Sequence, residues 1–279
     1  MMLDSLQQSA PLAVTAAAVL GLLVGSFLNV VIHRVPRMLE REWAQQAAEV
    51  RGEHAPAEER YDLIVPRSHC PSCGHRIGAL ENIPLLSWLR QRGKCTACGA
   101  SIPARYPIVE LATGALSAIA VWRFGATAEG LGAVVLTCFL IALAFIDLDT
   151  QLLPDNMTLP LLWLGLLFNL SGAFAPLPAA VIGAMAGYLS LWSIYWLFKL
   201  ATGKEGMGYG DFKLLAALGA WFGWTALPAV ILLASVVGAA VGIVLIVAAR
   251  HGREVPIPFG PYLAGAGLLA LYFRGPLAN

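Results

Sequence analysis

Charge is what this 279-residue chain has least of: Asp, Glu, Lys and Arg make up 13% of it, about half the share of a soluble domain, while 58% is hydrophobic. With a mean hydropathy of +0.71, that excludes an ordinary soluble globule and leaves a polytopic membrane protein. A net charge of +1 says nothing of nucleic acid, which is not expected as a partner, and the placement of charge along the chain is what informs. His-Glu-x-x-His does not occur, which excludes zinc proteolysis of that type. The Gly-Lys-Ser/Thr ending of a P-loop is absent, and so is a Gly-x-Gly-x-x-G turn after a strand. Residues 1–10 hold Asp4 but no Lys or Arg, so the positive head of a cleaved signal peptide is lacking and the first apolar run is expected to stay.

What is present is a series of apolar runs, at about 11–33, 105–124, 127–146, 158–175, 178–199, 213–224, 226–249 and 259–273. They predict an all-α polytopic membrane protein of about eight transmembrane helices. Eleven of the eighteen Lys and Arg residues lie between Arg34 and Arg105, so the positive-inside rule makes this loop cytoplasmic and both chain termini external. Lys199, Lys204, Lys213, Arg250 and Arg253 then also fall inside, and Arg123 and Arg274 alone fall outside. Three parts follow: a first transmembrane helix within 1–33, a cytoplasmic loop domain at 34–104, and a membrane core at 105–279. Arg37 to Arg60, rich in Ala, Glu, Gln and Arg, reads as a surface helix near the headgroups.

The core carries carboxylates where a bilayer makes them costly. Phe145-Ile146-Asp147-Leu148-Asp149-Thr150-Gln151-Leu152-Leu153-Pro154-Asp155 closes one apolar run, and Gly208-Tyr209-Gly210-Asp211-Phe212-Lys213 follows two crossings later. An even number of crossings returns the chain to the face it left, which puts Asp147 and Asp211 on one side of the membrane. Such a pair can share a proton and activate a water; the plainer reading is that each caps a helix. Asp149 lies roughly 200° around a helix from Asp147 and so points elsewhere. Asp155 follows Pro154 at the start of an apolar run and reads as an N-cap. Gly203, Gly206, Gly208 and Gly210 are expected to take positive φ, with Gly208 and Gly210 letting a substrate strand lie against the turn.

The loop holds Cys70-Pro71-Ser72-Cys73-Gly74 and Cys95-Thr96-Ala97-Cys98-Gly99, two knuckles with 21 residues between them. Cys70, Cys73, Cys95 and Cys98 at this spacing read as a tetrahedral zinc site, and four thiolates leave no open position, so the metal is structural. A reducing cytoplasm disfavours disulfides there. Cys138 reads as a small core residue.

The Asp147 segment, the Gly-Tyr-Gly-Asp motif, the four-cysteine loop and Gly25-Ser26-Phe27-Leu28-Asn29-Val30-Val31-Ile32-His33-Arg34-Val35-Pro36 stand together in this order. In these four motifs, over about residues 20 to 265, the chain resembles the bacterial type IV prepilin peptidases. The resemblance implies an inner-membrane aspartic endopeptidase with Asp147 and Asp211 as its catalytic acids. It also implies a prepilin-like precursor as substrate, cut after a glycine between a basic leader and an apolar helix. Many members of that family methylate the new N-terminal amine with S-adenosylmethionine, so the resemblance implies a second activity. Asn29, His33 and Glu110 are polar groups near the loop junction that offer a place for that cofactor, although single residues of this kind more often hydrogen-bond at helix ends. A rival reading is an ion- or proton-coupled transporter relaying charge through the two aspartates. A membrane scaffold without chemistry has only the four-cysteine loop in its favour.

Overall fold

The computed structural model describes residues 9–52, 60–248 and 257–273. Arg250, Arg253, Arg274 and both chain ends, all used in the topological expectation, lie outside the described residues, as does the stretch 53–59 of the expected surface helix. Nine α-helices are found among the described residues: α1 Ala10–Val50, α2 Leu86–Arg90, α3 Arg105–Phe124, α4 Ala128–Thr150, α5 Asp155–Phe168, α6 Leu177–Thr202, α7 Tyr209–Phe222, α8 Leu227–Ala248 and α9 Gly260–Phe273. No strand forms there, only two isolated antiparallel bridges in the cysteine loop. The all-helical class is as expected. Five stretches are long and apolar enough to cross a bilayer: α1, α3, α4, α6 and Trp224–Leu245, which takes in most of α8. Helices α5, α7 and α9 have 14 residues each, about 21 Å against a hydrocarbon core of about 30 Å.

The chain divides into two compact units, one up to Arg123 and one from Phe124 onward. In the first, α1 is one helix of 41 residues. This corrects the expectation of a span ending at His33 and a separate surface helix. The Ala, Glu, Gln and Arg residues after Arg37 are strong helix formers, so nothing stops the helix at the end of its apolar part, and Pro36 sits within it. It ends where Gly52 takes φ +70°. Gly21 and Gly25 let α1 approach α3 closely: a Cβ on Gly21 would stand 2.9 Å from the Gly114 Cα, and one on Gly25 would stand 2.8 Å from the Glu110 Cα. Small residues four apart are the membrane solution to helix pairing, where no hydrophobic effect drives association.

The second unit is built around α7, in which every side chain from Asp211 to Phe222 except Lys213 is buried. The sequence reading has this segment as a short span at 213–224, but the helix starts at Tyr209. Gly183 and Gly187 of α6 lie against the α7 backbone, so that a Cβ on Gly183 would meet the Gly219 carbonyl at 2.3 Å. Trp221 Nε1 donates to the Leu161 carbonyl of α5 at 2.8 Å. Buried Asn169 donates to the carbonyls of Ala220 and Trp221, supplying partners for the C-terminal end of α7 that a bilayer cannot. A short helix surrounded in this way has its polar backbone satisfied inside protein.

Candidate active site

Asp147 lies one turn before the C-terminal end of α4, which closes where Gln151 adopts φ +56° and donates its N–H to the Asp147 carbonyl at 2.9 Å. Asp211 lies in the first turn of α7, after the N-cap Gly208. Both carboxylates are buried, at 4% and 7% exposure. Both helix ends are brought up to Leu153, and the two acids come within electrostatic reach of each other. Leu153, in the bend between α4 and α5, is the wedge at this junction. A Cβ on Gly210 would strike its Cβ at 2.6 Å, and one on Gly260 would come within 3.1 Å of its Cδ1.

The first residue of α9 completes the arrangement. Gly260 donates its backbone N–H to Asp147 Oδ2 at 2.9 Å, so an otherwise unused helix N-terminal donor is spent on a carboxylate. Gly260 escaped the sequence reading. The only signal was a glycine opening the last apolar run beside Pro258 and Pro261, which is equally the mark of an ordinary helix start.

Asp149 is exposed and points away from the pair, as expected. Asp155 is a correction: the N-cap is Pro154, with no side-chain cap bond. Both Asp155 oxygens instead accept from Lys213 Nζ, at 2.5 and 2.7 Å. This ion pair ties the start of α5 to the first turn of α7, two residues from Asp211. The glycine turn also differs from expectation. Gly203 alone of the four has positive φ, where it ends α6. Gly208 is exposed with room for a Cβ, whereas Gly210 is a glycine because Leu153 packs on it. Behind the turn, Lys199 reaches Glu205 Oε1 at 2.8 Å and the Tyr195 hydroxyl at 3.2 Å, and Tyr195 stacks on Tyr209 and Phe212.

The first unit holds the second site. The Sγ atoms of Cys70, Cys73, Cys95 and Cys98 all lie within 4.8 Å of one another, and Cys70 and Cys98 are 3.8 Å apart. A tetrahedron of sulfurs about 2.3 Å from a zinc has edges of about 3.8 Å, so the cluster can hold such an ion. None of the four forms a disulfide. Gly74 and Gly99, after the second cysteine of each knuckle, take φ +72° as the tight turn demands. The Ser72 and Cys73 N–H groups point at the Cys70 sulfur and pull its pKa down to about 6. At Cys73 the His75 N–H favours the thiolate, but the Cys98 sulfur, desolvation and the other two sulfurs outweigh it and lift that thiol to about 12. Four sulfurs this close lose their protons together only when a cation sits among them. Glu81 joins the knuckles: it accepts from the Gly78 N–H at 2.9 Å, from His75 Nε2 at 3.1 Å, and from the Thr96 hydroxyl.

Of the polar residues near the loop junction, Asn29 Nδ2 donates to the carbonyls of Gly25 and Tyr106. Glu110 Oε2 accepts from the Leu85 N–H at 2.8 Å. His33 is exposed. Asn29 and Glu110 thus each tie a helix to another part of the first unit.

Residues 19–124 match the bacterial peptidase A24 N-terminal domain, and residues 134–243 match the type IV leader peptidase family. The chain is 62% identical over 253 residues to a protein of Aeromonas salmonicida, covering 90% of this chain and 87% of that one. It is 59% identical over 265 residues to a protein of Stutzerimonas stutzeri, covering 94% and 92%. With a protein of Pseudomonas aeruginosa the identity is 57% over 265 residues, covering 94% and 91%. All three relatives are named prepilin leader peptidase/N-methyltransferase. No solved structure matches the chain.

Proposed function

The chain belongs to the type IV leader peptidase family, and on that premise we propose that it is an inner-membrane aspartic endopeptidase. Its substrate is a type IV prepilin-like precursor, of the kind used by pili or type II secretion. It removes the basic leader after glycine and methylates the new N-terminal residue. The observation that carries the peptidase reading is that Asp147 and Asp211 are both buried at helix ends, with Gly210 beside Asp211 and Gly260 bonded to Asp147 packed on the same Leu153. One carboxylate takes a proton from water, and the water attacks the scissile carbonyl. The other carboxyl, protonated, hydrogen-bonds the developing oxyanion and then supplies a proton for the leaving amine. The Gly260 N–H holds one oxygen of the Asp147 carboxylate in place. Open space at Gly208 gives an extended substrate strand a place beside the pair, with Gly210 at its edge.

Zinc is the ion assigned to Cys70, Cys73, Cys95 and Cys98, where it would be closed and structural. S-adenosylmethionine would supply the methyl group, a reading supported by the relatives' names alone. The basic residues of the loop support a cytoplasmic position for 34–104 and for the acid pair, external termini, and eight crossings once the short helices α5, α7 and α9 are counted. The core at 105–279 then carries both acids, behind a first helix and a four-cysteine loop. Family membership leaves the transporter reading without support.

The test is cleavage of a prepilin-like precursor by purified protein. Asp147→Asn and Asp211→Asn should each abolish it while the protein still inserts. The double variant should be no worse than either single one, because the two groups act as a unit. Methyl transfer to a pre-cleaved substrate should survive both changes, since amine methylation needs no hydrolytic water. Cleavage that persists in Asp211→Asn and vanishes in Asp149→Asn would show that the wrong acids are paired.

A further inference from the structure

The first unit contains a cavity of about 440 Å³ lined by Pro66, Arg67, His69, Gly74 and Arg76. We propose that it is a binding site for the phosphate of an anionic phospholipid headgroup. Three of its five lining residues are basic and none is acidic. His69 and Arg76 stand opposite each other across an antiparallel bridge. That relation sets the two side chains beside each other on one face of the bridge, in the wall of the cavity. Both arginines are exposed, and neither guanidinium has a carboxylate partner among the described residues.

Depth in the bilayer decides which anion fits. Buried Arg34 donates from Nη2 to the Pro66 carbonyl at 2.6 Å and from Nη1 to the Asp62 carbonyl at 2.7 Å. Arg34 is the first Lys or Arg after the apolar run of α1, so these bonds hold one wall of the cavity at the level where that run leaves the hydrocarbon. The attachment is firm. Tyr61 lies under the guanidinium groups of Arg34 and Arg41, at 5.6 and 4.3 Å, and Asp62 Oδ1 accepts from the N–H groups of Ile64 and Val65. Exposed apolar residues flank the lining residues in the chain: Ile64 is 76% exposed and Ile77 is 41% exposed, each within two residues of a lining residue. A soluble phosphate gains nothing from exposed isoleucines. A lipid does, because its glycerol and acyl region lies just below its phosphate. Basic pockets near the ends of membrane helices recognise headgroups by this combination.

The full-length protein in detergent, titrated with short-chain phosphatidylglycerol and read by native mass spectrometry, tests the site. The wild type should take up phosphatidylglycerol in preference to phosphatidylcholine. Arg67→Gln and Arg76→Gln should each weaken that uptake about 5-fold. Arg67→Lys with Arg76→Lys should retain most of it, which separates loss of charge from loss of fold. Ile64→Ser with Ile77→Ser should weaken uptake, and millimolar inorganic phosphate should leave it unchanged. Equal uptake of the two lipids, or full phosphatidylglycerol binding by the double Gln variant, would overturn the site. Displacement of the lipid by inorganic phosphate, with the Ile variant unaffected, would overturn the headgroup assignment in favour of a soluble anion.

Discussion

The Asp147 carboxylate is held by the backbone N–H of Gly260, a residue 113 positions further along the chain, at 2.9 Å. The contact needs glycine for a steric reason, since a Cβ at position 260 would stand 2.6 Å from Asp147 Oδ2 and 3.1 Å from its Cγ. Backbone cannot retreat from such a contact as a flexible side-chain tip can, so the carboxylate must shift from its place.

Gly260→Ala is therefore expected to lower the cleavage rate on the order of 100-fold, the cost of moving a reacting group by about 1 Å. The protein should still insert, with its thermal stability lowered by the overpacking of about 1–3 kcal/mol that such a Cβ imposes. Gly265→Ala is the matched control, since a Cβ there meets nothing within 4 Å, and it should stay within about 2-fold of wild type. Equal kinetics for the two variants would remove Gly260 from the site.

Asp155 and Lys213 set up a second test. As an ion pair 56% and 26% exposed, they should couple by no more than about 1 kcal/mol in a double-mutant cycle of thermal stability. Asp155→Ser distinguishes the pair from a cap: a cap would tolerate serine, whereas the pair should lose as much with serine as with alanine. Since Lys213 is two residues from Asp211, Lys213→Asp should slow cleavage, and adding Asp155→Lys should restore part of the rate. A swap that restores nothing would show that the latch does not position the acid.

The contrast between Asp155 and Asp147 shows which parts of the site could be read from the residues. Asp147, Asp211 and the four cysteines announce themselves, because an acid in an apolar run and thiols in paired knuckles are costly without a use. The helical class follows from the apolar runs in the same way. Gly260 could not be found, since its contribution is a backbone N–H that every residue but proline possesses, brought to Asp147 by tertiary packing. Asp155 was misread because a position after proline at a helix start looks the same whether its carboxylate turns to its own helix or to a lysine 58 residues away. The length of α1 was missed for the opposite reason: hydrophobicity stops at His33 while helix propensity continues to Val50. Hydrophobicity also cannot tell a helix surrounded by protein, as α7 is, from one that faces lipid.

The last prediction concerns the metal cluster and the carboxylate that spans it. Cys73→Ser should lower metal content and weaken the folding of the loop, because it removes one of the four thiolates that close the site. Glu81 touches no sulfur in the contacts that tie it, yet it accepts from His75 just after the first knuckle and from Thr96 within the second. Glu81→Gln keeps the shape but turns one acceptor into a donor facing donors, and chelator-driven metal release should quicken by about 10- to 100-fold. The pH dependence follows from the sign of the shift. The Gly78 N–H, the Thr96 hydroxyl and His75 hold Glu81 down at about 2, so its contribution is complete above the ordinary carboxylate range, near 4.5, and is lost only as pH falls from there towards about 2. The ratio of release rates between Glu81→Gln and wild type should therefore stay constant from about pH 5.5 to about pH 8, even as thiol protonation speeds release from both proteins. A ratio that collapses within that window would mean that Glu81 acts through a group other than its own carboxylate, and the clamp between the knuckles would have to be abandoned.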